Sequence, residues 1–227
     1  MADLAQRMEA LPGTGTALVA FGFITVGLSI KIAVFPFHNW LPNAYTYAPS
    51  AITAFLAGTA TKAAVYVFIR LWFSTVPHDT DLFYIPIIQS TEWILIALGI
   101  LGAVIASGVA FFQDDVKRLL AWSSIGQIGY MVLGIGLASV AGIAASFLHI
   151  FNHALMKTAL FMAVGCLFFM NGATQLTSLK NMGRKMPWTM AAIVICGLSL
   201  VGVPFTTGFI SKWYLCLLYT SPSPRDS

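Results

Sequence analysis

Four lysines, Lys31, Lys62, Lys157 and Lys212, lie in or at the ends of otherwise apolar stretches long enough to cross a bilayer. A lysine near the centre of a transmembrane helix costs about 2.5 to 3.5 kcal/mol on insertion scales, so its presence there points to function. His149, His153 and Lys157 follow one another at a spacing of four, with Asn152 adjoining, which puts the three within about 80° of arc on one helix face. Histidine titrates near neutral pH and a desolvated lysine exchanges its proton readily, so such a row can pass protons along a helix. His-x3-His is also a helical metal pair, and two histidines can simply bond neighbouring helices. No Cys, Asp or Glu completes a metal site in the same stretch, and no cofactor or metal is expected. Lys62 sits near mid-span in AFLAGTATKAAVYVF beside Gly58, Thr59 and Thr61, small residues that let helices approach and supply hydroxyls. No acidic residue falls within a span apart from Glu92 at the very end of one, so any ion-pair partner for Lys62 must come from elsewhere.

The elements that hold these residues are set by composition. Of 227 residues 58% are hydrophobic and 9% charged, and the mean hydropathy is +0.83, whereas soluble domains carry roughly 25% charged residues. Six stretches reach the length of about 20 apolar residues that a bilayer core demands: 14 to 35, 50 to 73, 92 to 112, 119 to 138, 143 to 170 and 188 to 215. Their apolarity is continuous and lacks the period of two that a barrel requires, so the expected fold is an all-α polytopic helix bundle. Two spans carry breakers, Pro36 and Pro42 after Lys31 in KIAVFPFHNWLP, and Gly202, Pro204 and Gly208 before Lys212 in GVPFTTGFISK. Both are expected to be discontinuous, which lipid tolerates only where the broken backbone lines protein or a hydrated cavity. For Lys31 the alternative is a proline kink with the lysine snorkelling to the interface. Cys166 and Cys196 are expected as small packing residues. The net charge of +4 and pI near 9.1 fit membrane loops better than nucleic acid.

Lys117 and Arg118 follow the third span, and Lys180, Arg184 and Lys185 follow the fifth, all on one side. By the positive-inside rule that side is cytoplasmic and the N-terminus lies outside. Asp114, Asp115, Lys117 and Arg118 form a compact loop expected to cap the fourth span. Met1 to Thr16 is mixed polar, so no signal peptide is expected, and Met1 reads as an internal start. The tail CLLYTSPSPRDS from Cys216 breaks the pattern and resembles the translation of transposon-type sequencing-adapter DNA. Residues 1–215 are therefore expected to be membrane domain, and 216–227 an artefact that cuts the sixth span.

The stretches KIAVFPFHNWLPNAYTYAPSAITAFLAGTATKAAVYVFIR, DDVKRLLAWSSIGQIGYMVLG, LHIFNHALMKTALF and GVPFTTGFISKWYL, in that order, resemble the antiporter-like proton-conducting membrane subunits of respiratory complex I, membrane-bound hydrogenases and Mrp-type antiporters. The resemblance covers nearly all of residues 14–215. It implies the seventh to twelfth helices of a roughly fourteen-helix subunit built from two inverted repeats. Lys31 matches the lysine of the broken seventh helix, Lys62 the central lysine of the eighth, His149, His153 and Lys157 the row joining the half-channels, and Lys212 the terminal site on the broken twelfth helix. The family's glutamate that pairs with the first lysine falls upstream of Met1. Making and breaking that pair would alter the lysine's proton affinity and drive a proton through Lys62 toward Lys157 and Lys212. Lysine suits this role and arginine does not.

Within the family the segments RKMPWTMAAIVI and GFISKWYL, with the LPNAYTYAP region, look closest to the D-type subunits of Mrp antiporters. That implies monovalent cation/proton antiport, with protons and sodium or a similar cation as cargo, other membrane subunits as partners, and a bacterial inner membrane as location. The alternative is a proton-pumping membrane subunit of NADH:quinone oxidoreductase or a hydrogenase relative, whose redox groups would belong to partner subunits. No nucleic-acid partner is implied.

Overall fold

The computed structural model describes residues 14–75, 87–172 and 174–220. In chain order it forms α1 (Thr14–Ile32), α2 (Trp40–Tyr47), α3 (Ser50–Gly58), α4 (Ala60–Thr75), α5 (Ile87–Phe111), α6 (Val116–Gly136), α7 (Val140–Asn171), a 3-10 turn (Leu176–Leu179), α8 (Met182–Lys185), α9 (Pro187–Val201) and α10 (Thr207–Thr220). The segments Ser50–Phe73, Thr91–Phe111, Val116–Gly136 and Val140–Asn171 are long and apolar enough to cross a bilayer, and Val19–Ile32 and Pro187–Val201 are shorter apolar helices. This is the polytopic helical bundle expected, since only helices satisfy the backbone of such continuously apolar stretches within lipid.

The bundle is organised around α7. Its 32 residues span about 48 Å at 1.5 Å per residue, and α3, α4, α6, α9 and α10 all pack against it. Ser139 caps its start by accepting from Gly142 N at 3.0 Å, and Gly172 ends it in the left-handed region at φ 70°. Asp115 caps α6 by accepting from Arg118 N at 3.0 Å, as the loop composition suggested. The segment between α5 and α6 also pairs with the segment after α7, through Val116 N to Thr174 O and Leu176 N to Asp114 O, both at 2.9 Å. The loops on either side of α6 and α7 at that end therefore share one face of the molecule.

Both expected interruptions are present, and both use the same device. After α1, Ala33 takes φ 65° while its N–H donates to Ile30 O and that of Val34 donates to Ser29 O, at 3.1 and 3.0 Å. After α9, Gly202 takes φ 91°, with Gly202 N to Ser199 O and Val203 N to Leu198 O, both at 3.1 Å. Each is a Schellman closure, which satisfies two carbonyls of the last helical turn. A third interruption, at Thr59 between α3 and α4, is not signalled by AFLAGTATKAAVYVF. At the end of the last span α10 runs through Cys216 to Thr220; residues 221–227 of the expected artefact lie outside the described residues.

The α5–α6 pair is closed by glycine. A Cβ on Gly129 would lie 2.6 Å from Gly99 O and 2.7 Å from Ala103 N, both rigid backbone atoms. Gly129→Val is expected to separate the helices and destabilise the protein by about 1–3 kcal/mol, read as a lower thermal midpoint in detergent. An unchanged midpoint would show that the two helices do not need this approach.

Candidate functional site

Lys157 is completely enclosed (0% exposed), as are His153 and His149 one and two turns earlier on α7. The Lys157 ammonium donates to Leu120 O and to Ser123 Oγ on α6, each at 2.6 Å. The imidazoles of His149 and His153 stack with centroids 5.9 Å apart at an interplanar angle of 7°. His149 Nδ1 lies 2.9 Å from Ser211 Oγ on α10. The next residue, Lys212, donates to Leu200 O at 2.8 Å and Val201 O at 3.1 Å, carbonyls of the last turn of α9 that have no onward helical donor once the chain breaks at Gly202. The Lys212 Nζ stands 5.0 Å from the centre of the Tyr130 ring, and that ring is 6.3 Å from His149. α7, α6, α9 and α10 thus bring His149, His153, Lys157 and Lys212 into one polar seam, in which no hydrogen bond links His153 to Lys157 or to His149.

Lys62 is buried on α4 and donates to Ala57 O and, at 3.2 Å, to Thr61 Oγ1. The break at Thr59 places that carbonyl, from the end of α3, where the lysine reaches it. Gly58 permits the break to sit hard against α7, since a Cβ there would collide with the Thr158 hydroxyl. The described carboxylates, Glu92, Asp114 and Asp115, are not buried. Lys62, Lys157 and Lys212 are therefore each held by neutral carbonyl and hydroxyl oxygens. A buried ammonium requires such acceptors, and a neutral acceptor allows the lysine to give up its proton without leaving a carboxylate unpaired.

Lys31, by contrast, is exposed at the end of α1 and is not brought into the seam. Lys117, read from sequence as a loop residue, is buried, donates to Ala48 O at 3.3 Å and lies 5.3 Å from the Phe168 ring centre.

Several polar groups of the interior escape a reading of the sequence alone. Ser123, Gln127 and Tyr130 fall at spacings of four and three on α6 and so share one face, on which Ser123 meets Lys157 and Tyr130 stands beside His149 and Lys212. Gln127 Nε2 reaches Leu200 O at 3.4 Å, while its Oε1, both ring nitrogens of His153 and Nε2 of His149 have no hydrogen-bond partner. Uncharged residues in SSIGQIGY give no hydropathy signal; their helical spacing is the available one. His38 is also buried, 5.3 Å from Phe35 and 5.2 Å from Trp122 by ring centroids. His38 Nδ1 and Trp122 Nε1 lack partners as well, and the sequence signal is a histidine just after the breaker Pro36.

Residues 1–223 match the family described as NADH:quinone oxidoreductase/Mrp antiporter, TM. Among curated relatives, the N subunit of NADH-quinone oxidoreductase from Desulforudis audaxviator is 38% identical over 96% of this chain and 42% of its own length. The D subunit of the Na(+)/H(+) antiporter from Alkalihalophilus pseudofirmus is 34% identical over the same shares. The chain thus spans about two fifths of the length of these relatives. Among solved structures, the Mrp complex from Dietzia sp. DQ12-45-1b superposes with a TM-score of 0.82 at 29% identity, covering 95% of this chain and 39% of that one. An archaeal membrane-bound sulfane sulfur reductase gives 0.81 at 34% identity, covering 89% and 40%.

Proposed function

The chain belongs to the NADH:quinone oxidoreductase/Mrp antiporter transmembrane family, and from that premise we propose that it is a proton-translocating part of a multi-subunit monovalent cation/proton antiporter. The observation that carries this reading is the enclosed seam of Lys157, His153 and His149 leading to Lys212, with Lys62 held on the adjoining helix. Protons would pass from Lys62 to Lys157, along the two imidazoles and out through Lys212. Ser123, Ser211, Gln127 and Tyr130 would orient the carriers. Lys31, at the end of the broken α1 and exposed, would receive its counter-charge from outside this chain. The face bearing Arg118, Lys180, Arg184 and Lys185 would be cytoplasmic, and the partners would be further membrane subunits in a bacterial inner membrane. Residues 1–215 would form part of one membrane domain, with the tail from Cys216 foreign to it.

The second reading, a redox-driven proton pump, is favoured by the relative at 38% identity, an oxidoreductase subunit, against 34% for the antiporter relative. Everted vesicles carrying the full-length protein with its neighbouring subunits separate the two. Antiport predicts that added Na+ or K+ dissipates a preformed pH gradient without NADH. A gradient that forms only on NADH oxidation and ignores added cation would replace antiport with the redox-driven reading.

A further inference from the structure

We propose that the groove between α3 and α7 binds one anionic glycerophospholipid, its acyl chains along the groove and its phosphate at Arg184 and Lys185. This inference is independent of the proton path. The cavity measures about 710 Å³ and is lined by apolar and small residues of both helices. On α7 the lining runs from Thr158 through Met162 to Met170, about 18 Å at 1.5 Å per residue, and on α3 from Phe55 back to Ser50.

The length selects the occupant. A bilayer core is about 30 Å thick, so the groove extends through little more than one leaflet, starting at the end where Met186 joins its lining. A transmembrane helix of a partner would need a surface running the full thickness of the core. Acyl chains of a single leaflet fit the depth and can follow a wall containing flexible methionines.

Charge selects the headgroup. Met186 directly follows Arg184 and Lys185, both exposed and without a carboxylate partner among the described residues. Trp188, 88% exposed just beyond, suits the headgroup level, where indoles concentrate. Basic side chains beside an interhelical crevice are the arrangement that holds lipid phosphate. The deep end of the groove, at Phe55 and Thr158, lies against the Gly58–Thr59 break that sets the position of Lys62, so the lipid would brace that break.

The test uses the full-length protein purified in detergent with its partner subunits and titrated with phosphatidylglycerol or phosphatidylcholine. Native mass spectrometry is expected to show one phosphatidylglycerol retained with at least a tenfold preference. Arg184→Gln/Lys185→Gln should abolish the preference, and Met162→Trp, at an exposed lining position, should abolish binding. Cys166 lines the groove, so with Cys196 and Cys216 replaced by Ser, phosphatidylglycerol should slow its alkylation by maleimide. Equal retention of both lipids, a preference that survives in the double glutamine variant, or protection of Cys166 by the partner subunits alone would overturn the proposal.

Discussion

Lys62→Ala in the full-length protein is expected to lower proton flux at least about 100-fold, the low end of what a positioned proton-transfer group contributes, with membrane insertion intact. Lys62 is held by Ala57 O and Thr61 Oγ1, both from its own segment. Truncation therefore removes a carrier without stranding a charge on another helix, and it relieves the burial of an ammonium. Lys62→Arg makes the companion measurement. It keeps the positive charge, but guanidinium does not release its proton in proteins, so flux should fall as far as in the alanine variant. Proteoliposomes with a pH-sensitive dye read both. If Lys62→Arg retained normal flux while Lys62→Ala lost it, the residue would be a fixed charge and not a carrier. Full flux in both would remove it from the path.

How much of this is legible in the sequence depends on which force places each residue. The spans are legible because continuous apolarity over about 20 residues leaves helices as the only solution in lipid. The breaks after α1 and α9 are legible from Pro36, Pro204 and Gly202. The break at Thr59 is not, because its segment lacks proline and reads as one small-residue helix; it coincides with the close approach of Gly58 to Thr158 on α7, a tertiary contact. His149, His153 and Lys157 share a face by arithmetic alone. Their placement beside Lys212 depends on α10 folding back after Gly202 against α7, which no local pattern encodes. Lys117 misleads because charge suggests solvent, whereas its long stem lets the ammonium reach Ala48 O from a buried position. The lysine whose role is least defined by this chain is Lys31, exposed on a face whose counterpart the resemblance puts upstream of Met1.

His153→Leu gives the sharper separation of transport from structure. Neither ring nitrogen of His153 has a hydrogen-bond partner, and the residue is 0% exposed. A buried polar group left unpaired costs about 1–3 kcal/mol, so an apolar side chain of similar size should leave stability unchanged or raise it. Its imidazole, however, sits between Lys157 one turn later and His149, whose ring centroid is 5.9 Å away. Leucine interrupts the only imidazole-to-imidazole step among the described residues, and flux is expected to fall at least about 100-fold. His149→Leu differs, because it deprives the buried Ser211 hydroxyl of its 2.9 Å imidazole contact, and it should lower the thermal midpoint as well as flux. The two variants, compared by detergent thermal unfolding and proteoliposome flux, distinguish a carrier from a strut. A marked loss of stability in His153→Leu would make that residue structural, and normal flux in it would remove His153 from the path.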